Sequence, residues 1–145
     1  MSSTRFTVRT SLSPQQVMTV LTDFGPDRAS RWPNVDDAHF KVHDVGPDWA
    51  EVTEGNAMAW ERERYSWDVE GGTVTIDTLD SNLWGPNSGW RYEIEPTSEG
   101  SEVHITLNRV PASLVGRLVA ALIPIAGART LGKQFQSVLR KAESS

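Results

Sequence analysis

The chain has 145 residues, enough for one domain that buries about 68–70% of its unfolded surface and needs no metal or disulfide to fold. It contains no cysteine, which excludes disulfides, thiolate catalysis and thiolate-held metals. Its 14 Lys and Arg against 19 Asp and Glu give a formal net charge of -5, the wrong sign for a duplex-binding module, so no nucleic-acid partner is expected.

Met1 to Phe6 runs straight into a strand pattern with no basic segment ahead of an apolar one, so no secretory signal is expected. From Arg5 to Leu12, Phe6, Val8 and Leu12 share one parity against Arg5, Thr7 and Arg9, the pattern of a half-buried strand. Ser13-Pro14 opens a helix, with Gln16 placed to complete a capping box and Val17, Met18, Val20 and Leu21 as its apolar face. Phe24-Gly25-Pro26 stops it. Asp27 to Trp32 suits a short second helix that ends at Pro33-Asn34. Strand patterns then succeed one another to Pro111. Phe40, Val42 and Val45 mark one; Trp49 to Glu54 and Ala59 to Val69 mark the next two. Gly71-Gly72 turns into Thr73 to Leu79. Trp90, Tyr92 and Ile94 alternate in one further strand, and Val103, Ile105 and Leu107 in another. Short strands with a turn in each gap predict an antiparallel meander.

The tail from Ala112 to Glu143 has helical periodicity, carried by Leu114, Val115, Leu118, Val119, Leu122, Ile123, Leu131, Phe135, Val138 and Leu139. A straight helix of that length would measure roughly 45 Å, against about 34 Å for seven strands side by side. An interruption is expected at Pro124 and Gly127. The apolar stretch from Leu114 to Ala128 is broken by Arg117 and Pro124 and falls short of the ~20 residues that span a bilayer, so a cytoplasmic location is expected. Packing over the sheet is the expected use of Leu114 to Ala126; the alternative is a lip that touches a membrane or another subunit.

This order of elements resembles the START-like superfamily, the helix-grip fold of the SRPBCC proteins, and is most similar to its polyketide cyclase/dehydrase and lipid-transport branch. Ser13-Pro14, Trp32-Pro33, the run Trp60-Glu61-Arg62 with Tyr65 and Trp67, and the amphipathic tail from Leu114 to Leu139 carry the resemblance. It implies an α+β fold over a single domain, residues 1–145. In that fold a curved seven-stranded antiparallel sheet wraps a long C-terminal helix, with two short helices after the first strand. It also implies a pocket for a hydrophobic ligand. Two features depart from the family. The segment Val45-Gly46-Pro47-Asp48 lacks the glycine-rich loop of plant members, and no residues match the catalytic set of an aromatase/cyclase.

Strand parity places Tyr65 with Trp67 and Trp90 with Tyr92, four of the rings expected to line such a pocket; six tryptophans in so short a chain call for such a role. A fully packed core is the competing use. Ile76, Ile105 and Leu107 supply aliphatic wall, Thr78 lies in phase with Ile76, and Leu122 approaches from the tail. Glu61 and Glu63 share parity with Tyr65. In an unbroken register Glu63 enters the pocket, where an unpaired carboxyl tends to hold its proton; a bulge after Trp60 would turn it out. Arg109 shares parity with Leu107 and can reach the pocket mouth to pair with an acid or a ligand carboxylate, with a surface ion pair as the competing use, whereas Asp80-Ser81-Asn82 reads as turn chemistry. His39 and His43 stand about 13 Å apart on an extended strand. His104 faces away from Val103 and Ile105, so no metal site is expected.

The expected function is binding or transport, without catalysis, of a lipid-like or polyketide-like molecule by a monomer or weak homodimer. Membrane contact and cofactors are not expected. The ligand-binding residues would be Glu63, Tyr65, Trp67, Ile76, Thr78, Trp90, Tyr92, Ile105, Leu107, Arg109 and Leu122. Two alternatives stand beside this. One is a cyclase or dehydratase using Glu63 or Tyr65 as acid or base; the other is a module that binds a protein through its apolar tail.

Overall fold

A computed structural model describes residues 2–123 and 127–144. Seven alternating segments become β1 (Ser2–Thr10), β2 (Lys41–Val45), β3 (Trp49–Gly55), β4 (Trp60–Asp68), β5 (Thr73–Ser81), β6 (Gly89–Thr97) and β7 (Gly100–Arg109). They form one curved antiparallel sheet in the order β1-β7-β6-β5-β4-β3-β2. All links are hairpins from β2 onward, so only β1 joins across a long gap in sequence, pairing Ser2 with Arg109 and Thr10 with Ser101.

Helix α1 (Pro14–Thr22) fills that gap first. The Gln16 amide donates to the Ser13 hydroxyl at 3.2 Å, and the Ser13 amide donates back to Gln16 Oε1 at 2.8 Å, closing the capping box. Val17, Met18 and Leu21 are buried beneath it. Helix α2 (Arg28–Arg31) is one turn long and buries a single residue, Arg28.

The β3–β4 hairpin fixes how Glu54 at the end of β3 meets the inward residues of β4. Gly55 has φ 136°, and a Cβ there would lie 2.2 Å from the Ala59 carbonyl oxygen, so only glycine fits. Asn56 Oδ1 accepts from the amides of Met58 and Ala59 and seals the turn.

Two helices are described in the tail, α3 (Leu114–Leu122) and α4 (Ala128–Glu143). The interruption expected at Pro124 falls on residues 124–126, outside the described ones, while Gly127 has helical backbone angles. Helix α4 lays Phe135, Val138 and Leu139 against the sheet and is pinned along β1. Gln136 Nε2 donates to the Arg9 carbonyl at 3.0 Å, and Thr10 Oγ1 donates to Glu143 at 2.7 Å. Among the described residues no helix is long and apolar enough to cross a membrane.

Two expectations are corrected. Helix α3 does not pack its leucines on the sheet: Leu114, Leu118 and Leu122 are 77%, 70% and 64% exposed. Its buried side is Gly116 and Ala120, set against Leu83 and Trp84. A Cβ at Gly116 would lie 2.3 Å from the Leu83 carbonyl oxygen, so small residues dictate which face docks. Likewise His39 and His43 do not share a strand. His39 closes a short 3-10 turn (Asp37–His39) and contacts Asp36 Oδ1 at 2.7 Å, and β2 breaks its register between Val42 and Asp44.

Candidate functional site: an amphipathic cavity

The inward face of β4 presents Glu61, Glu63 and Tyr65, each opposite an inward residue of β3: Glu54, Val52 and Ala50. The sheet does carry a bulge here, but it falls on β5. Glu63 pairs with Thr78 and Arg62 with Asp80, so Leu79 is the extra residue and turns outward, 49% exposed. The alternation of β4 is untouched, which is why both glutamates face in.

Between this face and the tail helices lies a cavity of about 450 Å³. Ile76, Trp90 and Leu107 form its sheet wall; Val119, Leu131 and Phe135 form its helix wall. The volume falls in the range of roughly 300–1,000 Å³ usual for small-molecule pockets. Tyr92 stacks on Trp90 at 6.1 Å and meets Phe135 edge-on at 5.5 Å, joining the two walls.

A polar strip crosses the apolar lining. At one end Arg28, 2% exposed, donates from Nε to Glu54 and from Nη2 to Tyr65 Oη at 3.0 Å. Its Nη1 donates to the carbonyls of Asp23 at 2.8 Å and Leu21 at 3.3 Å. Tyr65 Oη donates to the other oxygen of Glu54. Burial opposes the charge on Arg28, yet the Glu54 carboxylate outweighs it and the guanidinium is held more firmly protonated than usual. At the other end Arg109 grips Glu61 with two bonds, 2.7 and 3.0 Å, while Thr78 Oγ1 donates to the same carboxylate at 2.9 Å. Arg109 also lies over the rings of Trp84 and Trp90.

Glu63 sits between these pairs, 4% exposed. Burial, followed by the charges of Glu61 and Glu54, raises its pKa well above the ordinary glutamate value, and Arg109 only partly offsets this. The cluster thus holds three carboxyls and two guanidiniums, and Glu63, the carboxyl without a guanidinium partner, is pushed toward its protonated form. Burial first, then Glu63, likewise pushes the Tyr92 phenol upward. The Tyr92 hydroxyl has no hydrogen-bond partner among the described residues.

No protein-family model and no curated protein matches the chain. Solved structures do. The Zhui aromatase/cyclase from Streptomyces sp. R1128 superposes with TM-score 0.79 at 13% identity, over 97% of this chain and 93% of its own. A START superfamily protein from Mycobacterium smegmatis gives 0.75 at 12%, over 97% and 99%. A protein from Thermobifida fusca gives 0.66 at 20%, over 94% and 91%. The fold is the START-like helix-grip fold.

Within the helix-grip cavity, Glu63, Tyr65, Ile76, Trp90, Tyr92, Leu107 and Arg109 all line the wall, and Leu122 stands at its exposed edge. Trp67, Thr78 and Ile105 do not line it. Trp67 shares the inward parity of β4 but lies two residues beyond Tyr65, roughly 6.6 Å further along the strand, where it packs on Phe24. Thr78 is buried behind Glu61, and Ile105 lies in the packed core. Arg28 and Glu54 escaped sequence reasoning. Glu54 had a readable signal, an acid in phase with Ala50 and Val52. Arg28 had none, because a one-turn helix has no periodicity to place its side chain. On the sheet's outer face His104 Nε2 lies 3.1 Å from Glu102 and 3.4 Å from Glu95, a polar cluster in which Glu95 is exposed and the other two are half-buried.

Proposed function

We propose that the protein binds and carries a largely apolar small molecule in the helix-grip cavity without transforming it. The observation that carries this reading is a cavity with apolar walls whose charged groups already satisfy one another. Each guanidinium is paired with a glutamate, Arg28 with Glu54 and Arg109 with Glu61. Burying ten methylenes contributes about 8 kcal/mol and association costs at least ~4 kcal/mol. Micromolar affinity, about 8.2 kcal/mol, therefore needs roughly 4 kcal/mol more, which Trp90, Tyr92 and one hydrogen bond are suited to supply. Native mass spectrometry of freshly purified protein and titration with Nile red test this. The expected result is a retained adduct or saturable fluorescence. Protein free of adducts that also leaves the dye dark would refute the proposal.

One observation favours a second reading, a cyclase or dehydratase. A protonated carboxyl in an apolar pocket is the form a general acid takes. Glu63→Gln separates the two. A carrier keeps its ligand affinity within a few fold, whereas an enzyme of this type loses turnover while still binding.

A further inference from the structure

Several hydrogen-bond donors at the cavity lack acceptors among the described residues, two of them on buried aromatic side chains. Tyr92, 6% exposed, has a hydroxyl with no partner, and Trp84, also 6% exposed, has an indole N–H with none, among the described residues. Buried donors left unpaired are uncommon in native proteins, and each calls for an explanation such as a ligand that supplies the acceptor. Such an acceptor could be a neutral oxygen or a carboxylate, and the cluster distinguishes them. Arg28 spends its donors on Glu54, Tyr65 and two backbone carbonyls. Arg109 spends two on Glu61. A carboxylate entering the cavity would find each guanidinium already paired with a glutamate. It would also face Glu54 from β3, Glu61 and Glu63 from β4, and the hydroxyls of Tyr65 and Tyr92.

We infer that the cavity selects a molecule whose polar end is an uncharged oxygen, such as a ketone, received by the Tyr92 hydroxyl, and rejects the same chain ending in a carboxylate. This rests on the reading that the cavity binds an apolar ligand, and it narrows the ligand class. A lone anion would give up its hydration to guanidiniums whose charge Glu54 and Glu61 already balance, whereas a carbonyl meets a donor that is otherwise unsatisfied.

The test is displacement of Nile red from the intact protein at about pH 8 by methyl nonyl ketone, decanoic acid and decylamine, which share a similar alkyl chain. The ketone is expected to bind at least ~10-fold more tightly than the acid, because an unpaired buried charge costs more than one hydrogen bond gains. Tyr92→Phe should weaken the ketone about fivefold, the worth of one hydrogen bond, read as a dissociation constant corrected for the variant's own directly titrated Nile red affinity. Decanoic acid binding as tightly as the ketone would overturn the inference. So would decylamine binding most tightly, which would mark Glu63 as a counter-ion. An unaltered ketone affinity in Tyr92→Phe would also overturn it. Dye binding with none of the three ligands competing sinks the inference alone; a protein that ignores the dye as well sinks the carrier reading first.

Discussion

The Arg28–Glu54–Tyr65 cluster ties the short second helix to the sheet, and its removal has a definite cost. Glu54→Ala would leave the guanidinium of Arg28, 2% exposed, without its counter-charge. The expected loss is about 3–5 kcal/mol in urea denaturation, and a loss under ~1 kcal/mol would show that backbone carbonyls alone hold Arg28. Tyr92→Phe should behave in the opposite way. It removes a buried hydroxyl that has no partner, so the ligand-free protein is expected to gain about 1 kcal/mol. Glu63 makes stability depend on pH with a definite sign. Below the ordinary value of 4.5 its carboxyl is protonated both folded and unfolded. Above it the unfolded chain ionises while the folded protein keeps the proton, so the folded state binds more protons and stability falls as pH rises, until the folded group also ionises. Glu63→Gln removes that decline, and its advantage over the parent should widen from about pH 5 to about pH 8. A constant difference would mean that Glu63 is ionised in the fold. At this scale the sequence was legible wherever a strand phase governed. Parity alone brings Glu63, Tyr65, Trp90 and Tyr92 inward. The ion pairs that neutralise the cavity were not legible, because Glu54 meets Arg28 across 26 residues and no local pattern encodes that meeting.

Helix boundaries were legible from chemistry that acts within one turn: the Ser13–Gln16 capping box and the Phe24-Gly25-Pro26 stop. The docking face of α3 was not, because its most apolar residues are the ones left outside. Gly116 and Ala120 win the inner position through their small size, which lets the helix backbone approach Leu83. Two substitutions separate the faces. Leu118→Glu alters a side chain that is 70% exposed and should shift stability by no more than ~0.5 kcal/mol. Gly116→Ala places a methyl 2.3 Å from a carbonyl oxygen and should cost about 1–3 kcal/mol. Thermal unfolding of both variants checks the pair, and the reverse ranking would mean that α3 docks through its leucines. Edge strand β2 gave a further difference. Its apolar residues mark a strand, yet Val42 and Val45 are 37% and 55% exposed, since an edge with a register shift has no second neighbour to pack against.

For the whole molecule, length and alternation indicated a meander, but the edge at which β1 joins it, beside β7, was not legible in any local pattern. That position matters beyond architecture. β1 pairs with β7 at a separation of about a hundred residues, and α4, made later still, covers β1 and supplies Phe135 to the cavity. At a synthesis rate of roughly 5–20 residues per second, the earliest strand therefore waits several seconds on the ribosome with its hydrogen-bonding edge open. The cavity does not exist until the closing helix has been translated. Under the proposed carrier function, loading is confined to chains that have completed α4, and a nascent chain stalled before α4 should leave an added apolar ligand in the surrounding solution.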